Sequence, residues 1–305
     1  MPSKHNPKLN TAQGPDTMTV SELIFAYEAQ IRLGIFIGVL VLFGLLEAAN
    51  PRRKRNLRRG VRWLNNLGLV ALNTVVLRLL FPAAAVGAAV MAEQQGWGLL
   101  NQWPVPYAVA VAATVIAMDL IVYLQHVMFH AVPALWRLHR VHHADLDFDL
   151  TTGLRFHPIE IILSMVLKLG AVTALGAPAL GVLIFEVLLN ATAIFNHSNL
   201  RLPRGLDRVL RWIVVTPDMH RVHHSVEGDE TNSNFGFNLP WWDRLLGTYR
   251  DQPRKGHEGM AIGIHSVAQP RTAEWLDGML VTIPFRGGTP EYPINQRFKE
   301  KTDDA

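Results

Sequence analysis

The chain alternates between long apolar runs and short polar segments rich in arginine, histidine and aspartate. The first run covers residues 31–49, the second 67–92 and the third 105–124. Each reaches the roughly 18 to 25 residues that a helix needs to cross a bilayer. Arg78 and Pro82 interrupt the second run, so a tilt or kink is expected there. A fourth apolar region, 161–195, is too long for one span and breaks at Gly176-Ala177-Pro178, a turn signal. Its two halves of roughly 16 to 18 residues rise about 25 Å each as helices, slightly short of the hydrocarbon thickness, which suits a thin helical hairpin or a re-entrant pair. The pattern predicts an all-α, polytopic membrane protein: about three transmembrane helices plus a helical hairpin, with a cytoplasmic histidine-rich helical cap. The expected organisation is a polar N-terminal segment over 1–30, two transmembrane helices within 31–104, a membrane-embedded catalytic region over 105–250 and a peripheral tail over 251–305.

Composition sharpens this picture. Hydrophobic residues make up 49 % of the 305, and the mean hydropathy is positive. Cysteine is absent, which excludes a disulfide framework, a zinc finger and a thiol nucleophile. The net charge of +4 says less than its distribution. The block Arg52-Arg53-Lys54-Arg55-Asn56-Leu57-Arg58-Arg59 directly follows the first apolar run. Beside a span, such a block sets topology rather than binding nucleic acid. It places the loop between the first two spans in the cytoplasm and the N-terminus outside. The third span then runs inward, and the hairpin goes out and returns. No signal-peptide pattern is visible in the first 30 residues.

Ten of the 13 histidines lie between His126 and His224. His126 and His130 form an i,i+4 pair at the end of the third span, one turn apart on a helix face. His139, His142 and His143 make an H-x-x-H-H motif, and His220, His223 and His224 repeat it. An H-x-x-H-H arises by chance on the order of once in ten thousand positions at this histidine content. Two copies beside an H-x-x-x-H therefore point to metal. The topology delivers all three clusters to one membrane face. Eight imidazoles exceed what one ion accepts and imply two metals, although imidazole alone suits zinc, copper, iron and nickel equally. His157 and His197 are further candidate ligands, with Glu160 and Asn196 placed to orient imidazole N–H groups. Asp119 and Tyr123 share the face of His126. An ionisable group inside a span is a functional candidate, so Asp119 is expected to orient a ligand imidazole or to ligate directly. Trp136, Phe156 and Trp242 are expected to pack at the membrane interface.

These motifs together resemble the fatty acid hydroxylase and sterol desaturase superfamily over about Asp119 to Tyr249. Asp119-x-x-x-Tyr123-x-x-His126-x-x-x-His130 looks like its first box, and His157-Pro158-Ile159-Glu160 and Asn196-His197-Ser198-Asn199 look like its intermediate motifs. Thr216-Pro217-Asp218-Met219-His220, Asn234-Phe235-Gly236 and Trp242-Asp243-Arg244-Leu245-Leu246-Gly247-Thr248 resemble its C-terminal box. One departure is that Ala193 stands four residues before His197, where some lipid hydroxylases carry a further histidine. The resemblance implies two iron ions, O2 as co-substrate, and hydroxylation of a lipid, sterol or isoprenoid drawn from the bilayer. No Gly-rich nucleotide fingerprint and no cysteine-based iron–sulfur motif is present, so an external electron donor is expected: a cytochrome, ferredoxin or flavoprotein reductase. Desaturation on the same centre is the alternative within the family. A non-catalytic metal-binding or metal-transport protein is the alternative outside it. Transporters place ligands near the bilayer midplane, whereas these clusters lie just beyond span ends.

The hairpin carries two charges, Lys168 and Glu186, each nine residues from Ala177. An antiparallel pair puts them at equal depth, where buried charges pair with one another. Helical phase extends each charge into a polar stripe: Glu186, Asn190 and His197 on one helix, and His157, Ser164 and Lys168 on the other.

Overall fold

A computed structural model describes residues 24–267 and 269–286. The first 23 residues of the expected polar segment, and the tail beyond residue 286, lie outside the described residues. Within them the chain is helical, with two isolated bridges, Pro51 to Leu200 and Ser225 to Ile262. Five stretches are long and apolar enough to cross a membrane: Glu28–Ala49, Arg59–Gln102, Tyr107–Ala131, Pro158–Leu175 and Ala179–Asn196. This matches the three spans and hairpin expected, and the protein is a polytopic, all-α membrane protein.

Helix α1 is Glu28–Ala49, and the second span is divided into α2 (Arg59–Leu80) and α3 (Ala84–Gln95). The division falls at Phe81, because a residue that precedes proline is pushed out of the helical region. Helix α4 (Tyr107–Ala131) ends at Val132, and Pro133 opens α5 (Pro133–His143), which leaves in a new direction. The hairpin consists of α6 (Pro158–Leu175) and α7 (Ala179–Asn196). Gly176 caps α6 at φ +64° and lies against the loop after α3, where Gly98 has φ +88°. A Cβ on Gly98 would stand 2.0 Å from the Gly176 nitrogen. Only two glycines allow these backbones to meet.

The membrane core joins α3, α4, α6 and α7 through Ala85, Ala89, Met118, Val172, Val182 and Phe185. The alanines of α3 let the hairpin approach closely, the device by which helices associate in lipid. Helix α1 instead faces outward along most of its length, with Leu33, Ile37, Val41 and Leu45 exposed for lipid. Its last turn is tied down. Glu47 is buried and accepts hydrogen bonds from the backbone nitrogens of Leu150 and Asn199, and it pairs with Arg59. That carboxylate gathers the ends of α1 and α7, the start of α2 and the loop after α5 at one end of the bundle. The described part of the segment after residue 251 packs onto the bundle. Gly278–Arg286 forms a π-helix whose Met279 and Ile283 are fully buried against Leu69, Val141 and Ala144.

The Lys168–Glu186 pair is present at 2.7 Å, and it has a third member that the sequence pattern did not suggest. Arg32 of α1 reaches the other oxygen of Glu186 at 2.6 Å and also holds Glu28 at 2.9 Å. The remaining stripe residues turn elsewhere. Asn190 donates to the carbonyl of Glu186, and Ser164 pairs with Gln125.

Candidate metal centre

Helix α4 projects His126 and His130 from its last turns, α5 carries His139, His142 and His143, and His197 caps α7. The last three histidines belong to the short helix α8 (Pro217–His223) and its C-cap. Thr216 starts α8 by accepting the Met219 N–H, Asp218 lies in its first turn, and Pro217 occupies the position where a missing N–H costs nothing. All nine imidazoles are buried.

They separate into two groups, each with ligand nitrogens within 4.8 Å of one another. One holds His126, His130, His139, His143 and His223, and the other holds His142, His197, His220 and His224. The partition interlocks the two H-x-x-H-H motifs. The first motif gives its outer histidines to the five-membered group and His142 to the other. The second gives its outer histidines to the four-membered group and His223 to the first. Neither group is complete without both helices.

The geometry fits transition-metal ions. The Nε2 atoms of His126 and His139 are 3.1 Å apart, as are those of His130 and His143 and those of His142 and His197; His197 and His220 are 3.0 Å apart. With metal–nitrogen bonds of about 2.1 Å, ligands at right angles lie about 3.0 Å apart. The outward nitrogens explain why the inward ones are bare. Nδ1 of His126, His197 and His223 lies 2.8 Å from the carbonyls of Phe235, Ala193 and Ser233 respectively. A carbonyl cannot donate, so the single proton of each neutral ring sits on Nδ1 and leaves Nε2 as a lone pair. Nδ1 of His139 lies 2.6 Å from Glu160 Oε1. This outward hydrogen bond is how proteins fix the tautomer and ring plane of a metal-binding imidazole. His197 then turns a bare Nε2 towards two others at once, an arrangement a cation would relieve. Nε2 of His223 and both ring nitrogens of His224 are buried without a hydrogen-bond partner.

Electrostatics agree with this. Burial pushes the pKa of His139 and His197 down to about 3. Burial, then neighbouring imidazoles, holds His142, His143, His220 and His224 well below the ordinary value, and His223 is lowered in the same way. All are neutral at pH 7, the form a metal binds.

Aromatic rings seal the cluster. Phe156 stacks on His142 at 4.6 Å and 13°, and Trp136 lies 4.8 Å from His130. Phe148 stacks on His197 at 5.6 Å. Trp136 and Phe156, expected at the membrane interface, therefore line the imidazoles instead. Phe148 is held by the loop 145–152, which folds around a buried cation: Arg62 donates to both oxygens of Asp145 and to Asp149 at 2.7 to 2.9 Å. Burial would raise the Asp145 carboxyl, but Arg62 and Arg155 outweigh it and hold it below its usual range.

The other singled-out residues take different places from those expected. His157 joins neither group. As N-cap of α6 it accepts the Ile159 N–H on Nδ1, and its Nε2 faces the Leu280 carbonyl 3.3 Å away. Asp119 meets no imidazole either. It accepts the backbone N–H groups of Asn238 and Leu239 and the indole of Trp242 at 3.2, 3.2 and 2.8 Å. Trp242 is thus a partner of Asp119 rather than an interface anchor. The effect on the histidines is indirect, because the loop that Asp119 holds carries Phe235, whose carbonyl receives His126. Asp243 holds the same loop from its other end, accepting the N–H groups of Phe235 and Gly236 at 2.8 Å each. Burial raises its carboxyl to about 6 despite those bonds. Tyr123 pairs with Thr248 at 2.8 Å, and Asn196 donates to the Phe237 carbonyl. The Asn234-Phe235-Gly236 and Trp242-Asp243 motifs were the signal for this loop.

Comparison with known proteins agrees in kind. Residues 111–248 match the family model described as fatty acid hydroxylase. The chain is 27 % identical over 252 residues to the ornithine lipid hydroxylase of Rhizobium tropici, covering 78 % of this chain and 74 % of that protein. It is 31 % identical over 153 residues to the alkylglycerol monooxygenase of Xenopus tropicalis, covering 50 % of this chain and 33 % of that one. Human cholesterol 25-hydroxylase is 29 % identical over 137 residues, 43 % of this chain and 48 % of its own length. No solved structure matches the chain.

Proposed function

On the footing that this chain carries a fatty acid hydroxylase domain over residues 111–248, we propose that it is a membrane-bound non-haem di-iron oxygenase that hydroxylates a C–H bond of a lipid with O2. The observation that carries the reading is the interlocked pair of histidine groups. Five nitrogens around one position and four around the other leave octahedral ions with open sites. When bound, two iron ions supply the reduction of O2 and the removal of hydrogen from an unactivated C–H bond, with electrons from a cytochrome, ferredoxin or flavoprotein reductase.

The chain's own residues position and protect. Glu160 and the carbonyls of Phe235, Ala193 and Ser233 keep the ring protons outward. Phe148, Phe156 and Trp136 keep water from the imidazoles. The substrate class follows from the relatives, whose names are those of enzymes acting on an ornithine lipid, an alkylglycerol and cholesterol. The basic block at 52–59 favours a cap on the cytoplasmic side.

Purified protein tests the reading through metal content, O2 uptake on reduction and mass analysis of added membrane lipids. The expected result is two irons per chain, O2 uptake and a lipid heavier by one oxygen atom. A zinc-filled centre that consumes no O2 would sink it, and a product lighter by two hydrogens would replace hydroxylation with desaturation.

A further inference from the structure

A cavity of about 790 Å³ opens on the cap, and none of the nine clustered histidines lines it. One wall is Arg204–Leu210 and the residues after it, and another is formed by Arg52, Asp218 and Glu258. Six arginines and four carboxylates line it. The carboxylates are all engaged: Asp207 and Asp251 with Arg211, Asp218 with Arg52, and Glu258 with Arg52 and Arg201, at 2.7 to 3.2 Å. Among the described residues this leaves Arg204, Arg208 and Arg244 without a carboxylate. Arg244 is sandwiched between the rings of Trp212 and Tyr249 at 4.1 and 4.0 Å, and its Nε is buried without a hydrogen-bond partner. Arg204 and Arg208 are exposed at the mouth. Nη2 of the buried Arg211 is likewise without a hydrogen-bond partner.

The same surface is apolar where it is not cationic. Leu206, Val209, Trp212 and Ile213 alternate with the cavity arginines along the chain and are exposed, as are Leu245 and Leu246. Val209, Trp212, Ile213 and Leu245 are each 60 % exposed or more. Trp241 donates to the Trp212 carbonyl at 2.8 Å and Arg244 to that of Arg211, so the two segments form one face. A water-facing surface has no use for such a patch. An arginine-lined cavity rimmed by tryptophan, leucine and isoleucine is the composition of a segment seated at the membrane–water boundary.

We propose that this cavity binds the phosphate headgroup of an anionic membrane lipid, with Arg204, Arg208 and Arg244 as its cations and the apolar rim against the acyl chains. Guanidinium groups suit phosphate because their paired N–H groups match its oxygens. The inference goes beyond the oxidation reading and does not depend on it, since its readout is binding.

The test is native mass spectrometry of the full chain in detergent, titrated with phosphatidylglycerol or with phosphatidylcholine of the same acyl chains. Phosphatidylglycerol should bind more tightly than phosphatidylcholine. Arg204→Gln with Arg208→Gln should weaken phosphatidylglycerol by about fivefold for each guanidinium removed, and leave phosphatidylcholine unchanged. The corresponding double lysine variant should retain most of the preference, and an unchanged metal content in the glutamine variant reports an intact fold. Equal binding of the two lipids, or a preference that survives the double glutamine substitution, overturns the proposal. So does inorganic phosphate that binds with the affinity of the lipid and displaces it, because the cavity would then be a soluble-anion site.

Discussion

Removing the Glu160 side chain isolates the influence of one outward hydrogen bond on the metal that the proposed centre would hold. Glu160 Oε1 lies 2.6 Å from His139 Nδ1, and both residues are buried. A hydrogen bond contributes about 0.5–1.5 kcal/mol net, and leaving the buried His139 N–H with neither a partner nor water costs about 1–3 kcal/mol. Here the bond also selects the tautomer that leaves His139 Nε2 bare, so its loss falls on metal affinity. Outer partners of ligand histidines contribute about 10- to 100-fold in affinity or activity, which agrees with that range. His139 serves only the five-histidine group. Glu160→Ala is therefore expected to release one iron at a chelator concentration about 10–100 times lower than the parent requires, while the second iron stays. Glu160→Gln keeps an oxygen that can accept the His139 N–H and should fall between. Iron per chain is measured after equilibration with graded chelator, and lipid turnover is recorded on the same samples. If the alanine variant releases iron along the parent's curve, Glu160 does not control His139.

Three further outcomes follow. His157→Ala should keep both irons, since His157 stands outside both groups, and should cost about 1 kcal/mol through the lost cap of α6; an iron content of one per chain would return it to the ligand set. His142→Ala and His223→Ala should each halve the iron content but empty opposite sites, so their Mössbauer spectra should be complementary; identical residual spectra contradict the interlocked partition. Glu186→Gln leaves Lys168 and Arg32 facing each other and should destabilise by about 3–5 kcal/mol, whereas Lys168→Met leaves Glu186 its partner Arg32 and should cost less; unfolding in mixed micelles gives the order, and a reversed order refutes the triad.

Apolar run length made the five spans legible, because lipid leaves helices little alternative. The break at Phe81-Pro82 and the turn at Gly176 were legible for the same local reasons. Eight histidines could be read from spacing, but their division could not be read from a shared face alone. At 100° per residue the outer members of H-x-x-H-H are about 40° apart, while the middle one is about 100° from the last. Helical phase thus contains the split, and only the facing helix reveals that two sites receive it. Asp119 was readable as functional but not as the anchor of a loop more than a hundred residues away. Arg32 was not legible as a partner of Glu186, because the two are 154 positions apart and nothing local ties them. Arg62 was hidden in the same way, beside a basic block that topology already explained.

The exchange of histidines between α5 and α8 also has a consequence for biosynthesis. His126 and His224 are 98 positions apart, so at ribosomal speeds the donor set takes about 5–20 s to emerge. A chain halted before Pro217 presents four donors of one group and only two of the other. Premature loading during translation would then fill one position alone, and a nascent chain that captured zinc there would carry it into the finished protein. The timing of metal delivery relative to the appearance of the last helix would then bear on which of the two positions is filled first.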